Sequence, residues 1–126
     1  MDSVTLLEHA HKAMQNAFAP YSKFKVGVAL LGKSGKLYLG CNVENASYGA
    51  AICAERVAMC KAVSEGERDF EAIAVVSSGG DFTYPCGICR QFMSEFGLDV
   101  HVIVSNGKET KEMTLAELLP NSFYLV

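Results

Sequence analysis

Two separated pieces of this chain make chemical sense only if they meet in space. That requirement constrains the fold more than any other feature. Residues 53–56 read Cys-Ala-Glu-Arg, and residues 85–91 read Pro-Cys-Gly-Ile-Cys-Arg-Gln. Cys53, Cys86 and Cys89 are expected to be the three protein ligands of one zinc ion per chain, with Glu55 as the proton carrier beside it. Three ligands leave a coordination position open, the mark of a catalytic zinc; a fourth would close the site and make it structural. A CxxC alone is a weak signal. Preceded by Pro85, and with a Cys-x-Glu upstream, it is a strong one.

The chemistry also explains where these residues should lie. Thiolate binds metal, and a helix N-terminus favours thiolate through its free amides and dipole. Apolar periodicity predicts helices over residues 52–64 and 86–96, so Cys53 and Cys86 open helices and Cys89 lies one turn in. Three thiolates on Zn²⁺ carry a net −1. Arg56 is expected to donate hydrogen bonds to the sulfurs and offset that charge. Gly87 is expected where backbone must approach closely. Arg90 and Gln91 read as supporting or helix-packing residues, and Cys41 and Cys60, without partners at ligand spacing, as core.

The remaining pattern is helix, hairpin, then strands alternating with helices. Ser3 caps a predicted helix over 3–18, stopped before Pro20. Strands are predicted over 24–31 and 36–43 around a Gly32–Gly35 turn, antiparallel because they are so closely joined. Helix 52–64 reads as apolar all round and therefore central. Buried strands follow at 72–76 and 100–105, a short edge strand at 110–113, and a last helical turn capped by Thr114 with Glu117. The expectation is one domain, residues 1–126, built as a three-layer α/β/α sandwich on a mixed five-stranded sheet, with both cysteine helices following strand ends.

Composition removes several function classes. The net charge is −3 and the basic residues are scattered, which argues against a nucleic-acid polymer. No apolar run approaches the roughly 20 residues of a membrane span. Met1-Asp2-Ser3 does not open a signal peptide, and five cysteines is an odd number, so reduced thiols in the cytoplasm are expected instead of a disulfide framework.

Together the motifs resemble cytidine deaminase of the short homotetrameric, zinc-dependent kind. The resemblance rests on residues 42–48 (Asn-Val-Glu-Asn-Ala-Ser-Tyr), 53–56 and 85–91, with 19–24 and 117–120 in support, and spans nearly the whole chain. The zinc motifs belong to zinc deaminases at large; residues 42–48 narrow the likeness to nucleosides. It implies that Asn42 and Glu44 bind the ribose 3′-hydroxyl, that Phe24 packs on the pyrimidine, and that Ala54 offers its backbone to the base edge. Ala46 and Tyr48 would reach the sugar's 5′ end in a neighbouring subunit's site, and Phe123 would close over a neighbour's base. The implied reaction converts cytidine and 2′-deoxycytidine to uridine and 2′-deoxyuridine. Read from the residues alone, Phe24 is core at a strand start, Asn42 a turn residue and Glu44 solvated.

Four other readings compete. A deaminase of a cytosine-nucleoside antibiotic such as blasticidin S would share the motifs. A polynucleotide deaminase would need a basic groove and stacking aromatics. A closed structural zinc would need a fourth ligand, for which His101, expected to be buried in a strand, is the distant candidate. A redox CxxC would need neither Cys53 nor Glu55.

Overall fold

The computed structural model describes residues 1–125; Val126, the end of the expected domain and tail, lies outside the described residues. Four α-helices and five strands follow one another as α1 (Ser3–Met14), β1 (Val26–Gly32), β2 (Leu37–Cys41), α2 (Ala54–Ser64), β3 (Phe70–Ser77), α3 (Gly87–Ser94), β4 (His101–Ser105), β5 (Thr110–Thr114) and α4 (Leu115–Leu118). The sheet order is β2-β1-β3-β4-β5. Only β3 and β4 run parallel; the other neighbours are antiparallel. The expected mixed five-stranded sheet is therefore present.

Alternation along the central strands makes the three layers. Ala29, Leu31, Ala72, Ala74, Val76 and Ile103 face α1 and meet its Leu6, Leu7 and Ala10. Val28, Leu30, Ile73, Val75, Val102 and Val104 face the other way, onto Ala54, Ala58 and Met59 of α2 and Met93 of α3. Burial on both faces is why these strands read as continuous apolar runs.

Two glycines set how closely the helices approach. A Cβ on Gly27 would lie 2.1 Å from the Ala10 carbonyl oxygen, so α1 rests on bare β1 backbone. A Cβ on Gly40 would lie 2.4 Å from the Ala54 oxygen and 2.7 Å from the Ala58 nitrogen. The first turn of α2, which carries the metal motif, is seated on β2 in this way.

Several local expectations are corrected. The cap of α1 is Asp2, whose Oδ1 accepts from the Thr5 amide at 2.8 Å; Ser3 is already helical and its hydroxyl donates to Glu112. The helix ends at Met14, not Phe18, because the Phe18 amide donates to Asn42 O and its carbonyl accepts from Glu44 N. α2 is not apolar all round in burial: Ala54, Glu55, Ala58, Met59 and Ala62 are buried, while Cys60, Lys61 and Ser64 face outward. Cys60 is thus exposed and not core, and Cys41 is only half-buried on the outer strand β2. His101 is exposed at the start of β4. The Thr114–Glu117 capping box forms as expected.

Candidate active site

Cys53 and Cys86 are the N-cap residues of α2 and α3, both with extended backbone. Their carbonyls already accept the first helical bonds, from Val57 at 3.1 Å and Arg90 at 2.9 Å. Each sulfur therefore sits at a helix mouth, where unpaired amides favour negative charge. Cys89, on the first turn of α3, is fully buried behind them. All three sulfurs lie within 4.8 Å of one another, and Cys53 Sγ is 3.7 Å from Cys86 Sγ. Tetrahedral zinc with Zn–S near 2.3 Å requires S···S of about 3.8 Å. The donor set and its spacing fit a zinc ion, and no other such cluster occurs among the described residues. His101 is outside it, which removes the candidate fourth ligand.

Charge is shared unequally among the thiols. Hydrogen bonding from Cys89 pulls Cys53 down to about 5, with Arg56 and Cys86 acting in the same direction against partial burial. The same bond to Cys53, together with burial, pushes Cys89 up, so Cys89 holds the proton and Cys53 the charge. A divalent cation bound by such sulfurs removes the protons outright. Arg56 Nη2 donates to Cys53 Sγ at 3.7 Å, and that contact raises the guanidinium's own pKa. The expected placement of Arg56 against the sulfurs is observed.

Glu55 lies in the first turn of α2 and is only 4% exposed. Burial pushes its carboxyl up to about 7, helped by the charge on Cys53 and opposed by its own backbone amide and by Arg56. A carboxyl that titrates near neutrality both takes and gives protons readily there.

Glu55, Cys53 and Cys86 share a cavity of about 250 Å³ with Phe24, Asn42 and Ala54. Val26, Thr83 and Tyr84 line it too. Nothing in the sequence singles these three out beyond residues 83 and 84 running directly into Pro85. Asn42 is held at both ends: Oδ1 accepts from Val26 N at 2.8 Å and Nδ2 donates to Phe24 O at 2.9 Å. Phe24 precedes β1 instead of lying in it, and keeps 41% exposure.

Glu44 and Tyr48 line a larger neighbouring cavity of about 370 Å³ with Tyr21, Ser22, Asn45 and Ala51. Of the two cavities, only the smaller is lined by cysteines, Cys53 and Cys86, and by the buried carboxyl. Glu44 accepts from the Tyr21 and Ser22 amides at 3.0 and 3.1 Å and from the Ser22 hydroxyl. The Ser22 contacts hold its pKa below the ordinary value. Lys23 completes that turn in the left-handed region, at φ 63°, conformational strain of the kind found beside functional sites. Ala46, Tyr48 and Phe123 are exposed and not gathered around the cysteines.

Two supporting residues are now explained. Arg90 donates from Nε to Pro85 O at 2.6 Å and from Nη1 to Leu118 O at 2.8 Å, tying the cysteine loop to α4. Gln91 donates to Phe123 O at 3.3 Å. Gly87 is not required for close approach within the chain, since a Cβ there meets nothing within 4 Å.

Comparison with known proteins gives a consistent result. The family described as "Cytidine and deoxycytidylate deaminase zinc-binding region" matches residues 2–105. A cytidine deaminase of Halalkalibacterium halodurans is 48% identical over 98% of this chain and 95% of its own length. One from Sporosarcina psychrophila is 46% identical over 98% and 92%. The crystal structure of cytidine deaminase from Burkholderia pseudomallei superposes with a TM-score of 0.94 at 44% identity, covering 98% of this chain and all of the other.

Proposed function

Since the chain belongs to the cytidine and deoxycytidylate deaminase zinc-binding family, we propose that it hydrolyses cytidine and 2′-deoxycytidine to uridine and 2′-deoxyuridine, releasing ammonia. The observation that carries this reading is a buried carboxyl, Glu55, in one cavity with Cys53, Cys86, Phe24 and Asn42. High identity to cytidine deaminases favours the nucleoside over an antibiotic substrate.

Cys53, Cys86 and Cys89 would hold the zinc ion, which when bound would supply Lewis-acid activation of water. Arg56 offsets the thiolate charge that would otherwise weaken that activation. Glu55 accepts a proton from the attacking water and delivers it to ring N3, making C4 electrophilic. The water oxygen adds to C4. Glu55 then carries the second proton to the exocyclic amine, the C4–N bond breaks and ammonia leaves. One carboxyl does both transfers because N3 and the amine lie on the same side of the ring.

Phe24 packs on the pyrimidine, Ala54 backbone meets the base edge, and Asn42 and Glu44 bind the ribose 3′-hydroxyl. The cavity position of Phe24, Asn42 and Ala54 supports these roles. Glu44 stays ionised, and its carboxylate has acceptor capacity beyond its local bonds. The chain acts as a single domain over residues 1–126 and assembles as a cytoplasmic homotetramer with shared sites. Exposure of Tyr48, Phe123 and the apolar Phe18, Val43 and Ile52 supports the assembly. No helix among the described residues is long and apolar enough to cross a membrane.

The test is the ultraviolet absorbance of cytidine on adding zinc-loaded protein, before and after a chelator strips the metal. Absorbance should fall only with zinc present. No fall with the loaded protein would refute the reading.

A further inference from the structure

The loop between β3 and α3 brings Thr83 and Tyr84 to the cavity beside Phe24, Glu55 and Cys86, and the proton transfers above use neither. Tyr84 lines that cavity and is 37% exposed, so it is not part of the core. It packs against Phe82, with ring centroids 6.3 Å apart and planes at 39°. Phe82 rests on the core under α2 and α3, and the Lys111 ammonium sits 4.5 Å from its ring centroid. Lys111 belongs to β5 and lies opposite Val104, a residue of that same core. Its stem therefore rises on the cysteine side of the sheet.

Lys111 has no ion-pair partner among the described residues, where the one ion pair is Lys33–Asp99. Its electrostatic partner is the face of the Phe82 ring. The start of the loop and the Thr83 side chain are tied down by other contacts. Ser78 N donates to Lys25 O at 2.8 Å, Lys25 N to Ser78 Oγ at 3.0 Å, and Thr83 Oγ1 to Ser77 Oγ at 2.6 Å. None of these bonds touches the rings of Phe82 or Tyr84, so the Lys111–Phe82 contact bears on the placement of that aromatic pair next to the cavity.

We propose that Tyr84 contacts the nucleoside and that Lys111 is a positioning residue, holding Tyr84 in the cavity wall through the ring of Phe82. This rests on reading the cavity as a nucleoside site. The contact is aromatic packing on the substrate, present alike in ground and transition states, so it acts on KM and not on kcat.

The experiment uses the zinc-loaded full chain and the variants K111M, K111R, Y84A and K111M/Y84A. K108M, in the turn before β5, controls for loss of a lysine charge. Readouts are kcat and KM for cytidine, uridine affinity by calorimetry, zinc content and melting temperature. K111M should raise KM and weaken uridine binding about two- to fivefold, the range of an exposed cation–π contact. Y84A should do so about tenfold. In K111M, kcat and zinc content should stay unchanged, and the melting temperature should fall by no more than a few degrees. K111R keeps a cation over the ring and should match the parent, as should K108M. The double variant should be no worse than Y84A alone, since Lys111 acts only through Tyr84.

An unmoved KM and uridine affinity in K111M or Y84A overturns the proposal. So does a K111M effect that persists undiminished on the Y84A background, or K111R being as impaired as K111M. If the unsubstituted chain fails to deaminate cytidine, the function reading itself falls, and the two failures are distinguishable.

Discussion

Gly40→Ala tests whether the seat of α2 on β2 sets the chemistry. The added methyl would lie 2.4 Å from the Ala54 oxygen, 2.7 Å from the Ala58 nitrogen and 3.0 Å from the Ala58 Cβ, where ordinary contact begins at 3.4 Å. The first two neighbours are backbone, so no side-chain rotation relieves the clash. The helix must retreat from the strand by about 1 Å, and the residue nearest the clash, Ala54, stands between Cys53 and Glu55. Overpacking of this kind costs about 1–3 kcal/mol, which lowers the melting temperature of a domain this size by roughly 3–15 °C. A 1 Å misplacement of reacting groups costs about 100-fold in rate. Calorimetric melting and cytidine turnover measure the two effects separately. Gly49→Ala is the control, because its methyl would meet open space; it should stay within about 0.5 kcal/mol of the parent. If Gly40→Ala melts and turns over like the parent, the close approach does not position the site and the reasoning is wrong.

Glu55→Gln should keep zinc and fold while turnover falls at least 10²–10⁴-fold; near-parental turnover with zinc bound would remove Glu55 from the mechanism. Arg56→Gln should weaken zinc about 10–100-fold in a chelator competition, because it removes a donor from the Cys53 sulfur. Glu67 predicts a pH effect on stability. Its carboxylate accepts from the Ser34 and Tyr38 hydroxyls, and the Ser34 contact leads in holding its pKa below 4.5. A depressed folded-state pKa stabilises the fold above the unfolded value, and that contribution is lost as pH falls through the folded one. Thermal melts of Glu67→Gln between about pH 3 and 6 should show a shallower acid-side decline than the parent; an identical decline would refute the assignment.

Legibility in the sequence followed the range of the forces involved. The zinc motif was readable because its meaning lies in ligand type and spacing, which zinc's own bonding demands. The hairpin at Gly32–Gly35 and the Thr114–Glu117 box were readable for the same reason: each is satisfied by residues within a few positions of one another. Errors arose where two local choices were nearly equal. Asp2 and Ser3 are both good caps, and only the folded backbone puts Asp2 within reach of Thr5. Phe18 has helical neighbours, but its backbone is recruited by Asn42 and Glu44, residues distant in sequence. Cys60 is apolar enough for a core, yet α2 turns it away from the sheet.

The sequence by itself pointed to three cysteines at zinc-ligand spacing, to a carboxyl two residues from the first of them, and to the layered α/β/α fold. All follow from ligand chemistry or from apolar periodicity. Only the tertiary structure decided which residues share a cavity with the sulfurs. It brought Phe24, Asn42 and Ala54 there, placed Glu44 and Tyr48 in a separate cavity, and added Thr83 and Tyr84 from the β3–α3 loop. It also decided that Glu55 is buried deeply enough to titrate near neutrality. The reason is that burial and cavity walls are set by distant backbones packing together. Gly40 beneath Ala54 is such an approach, and nothing local in the sequence marks it.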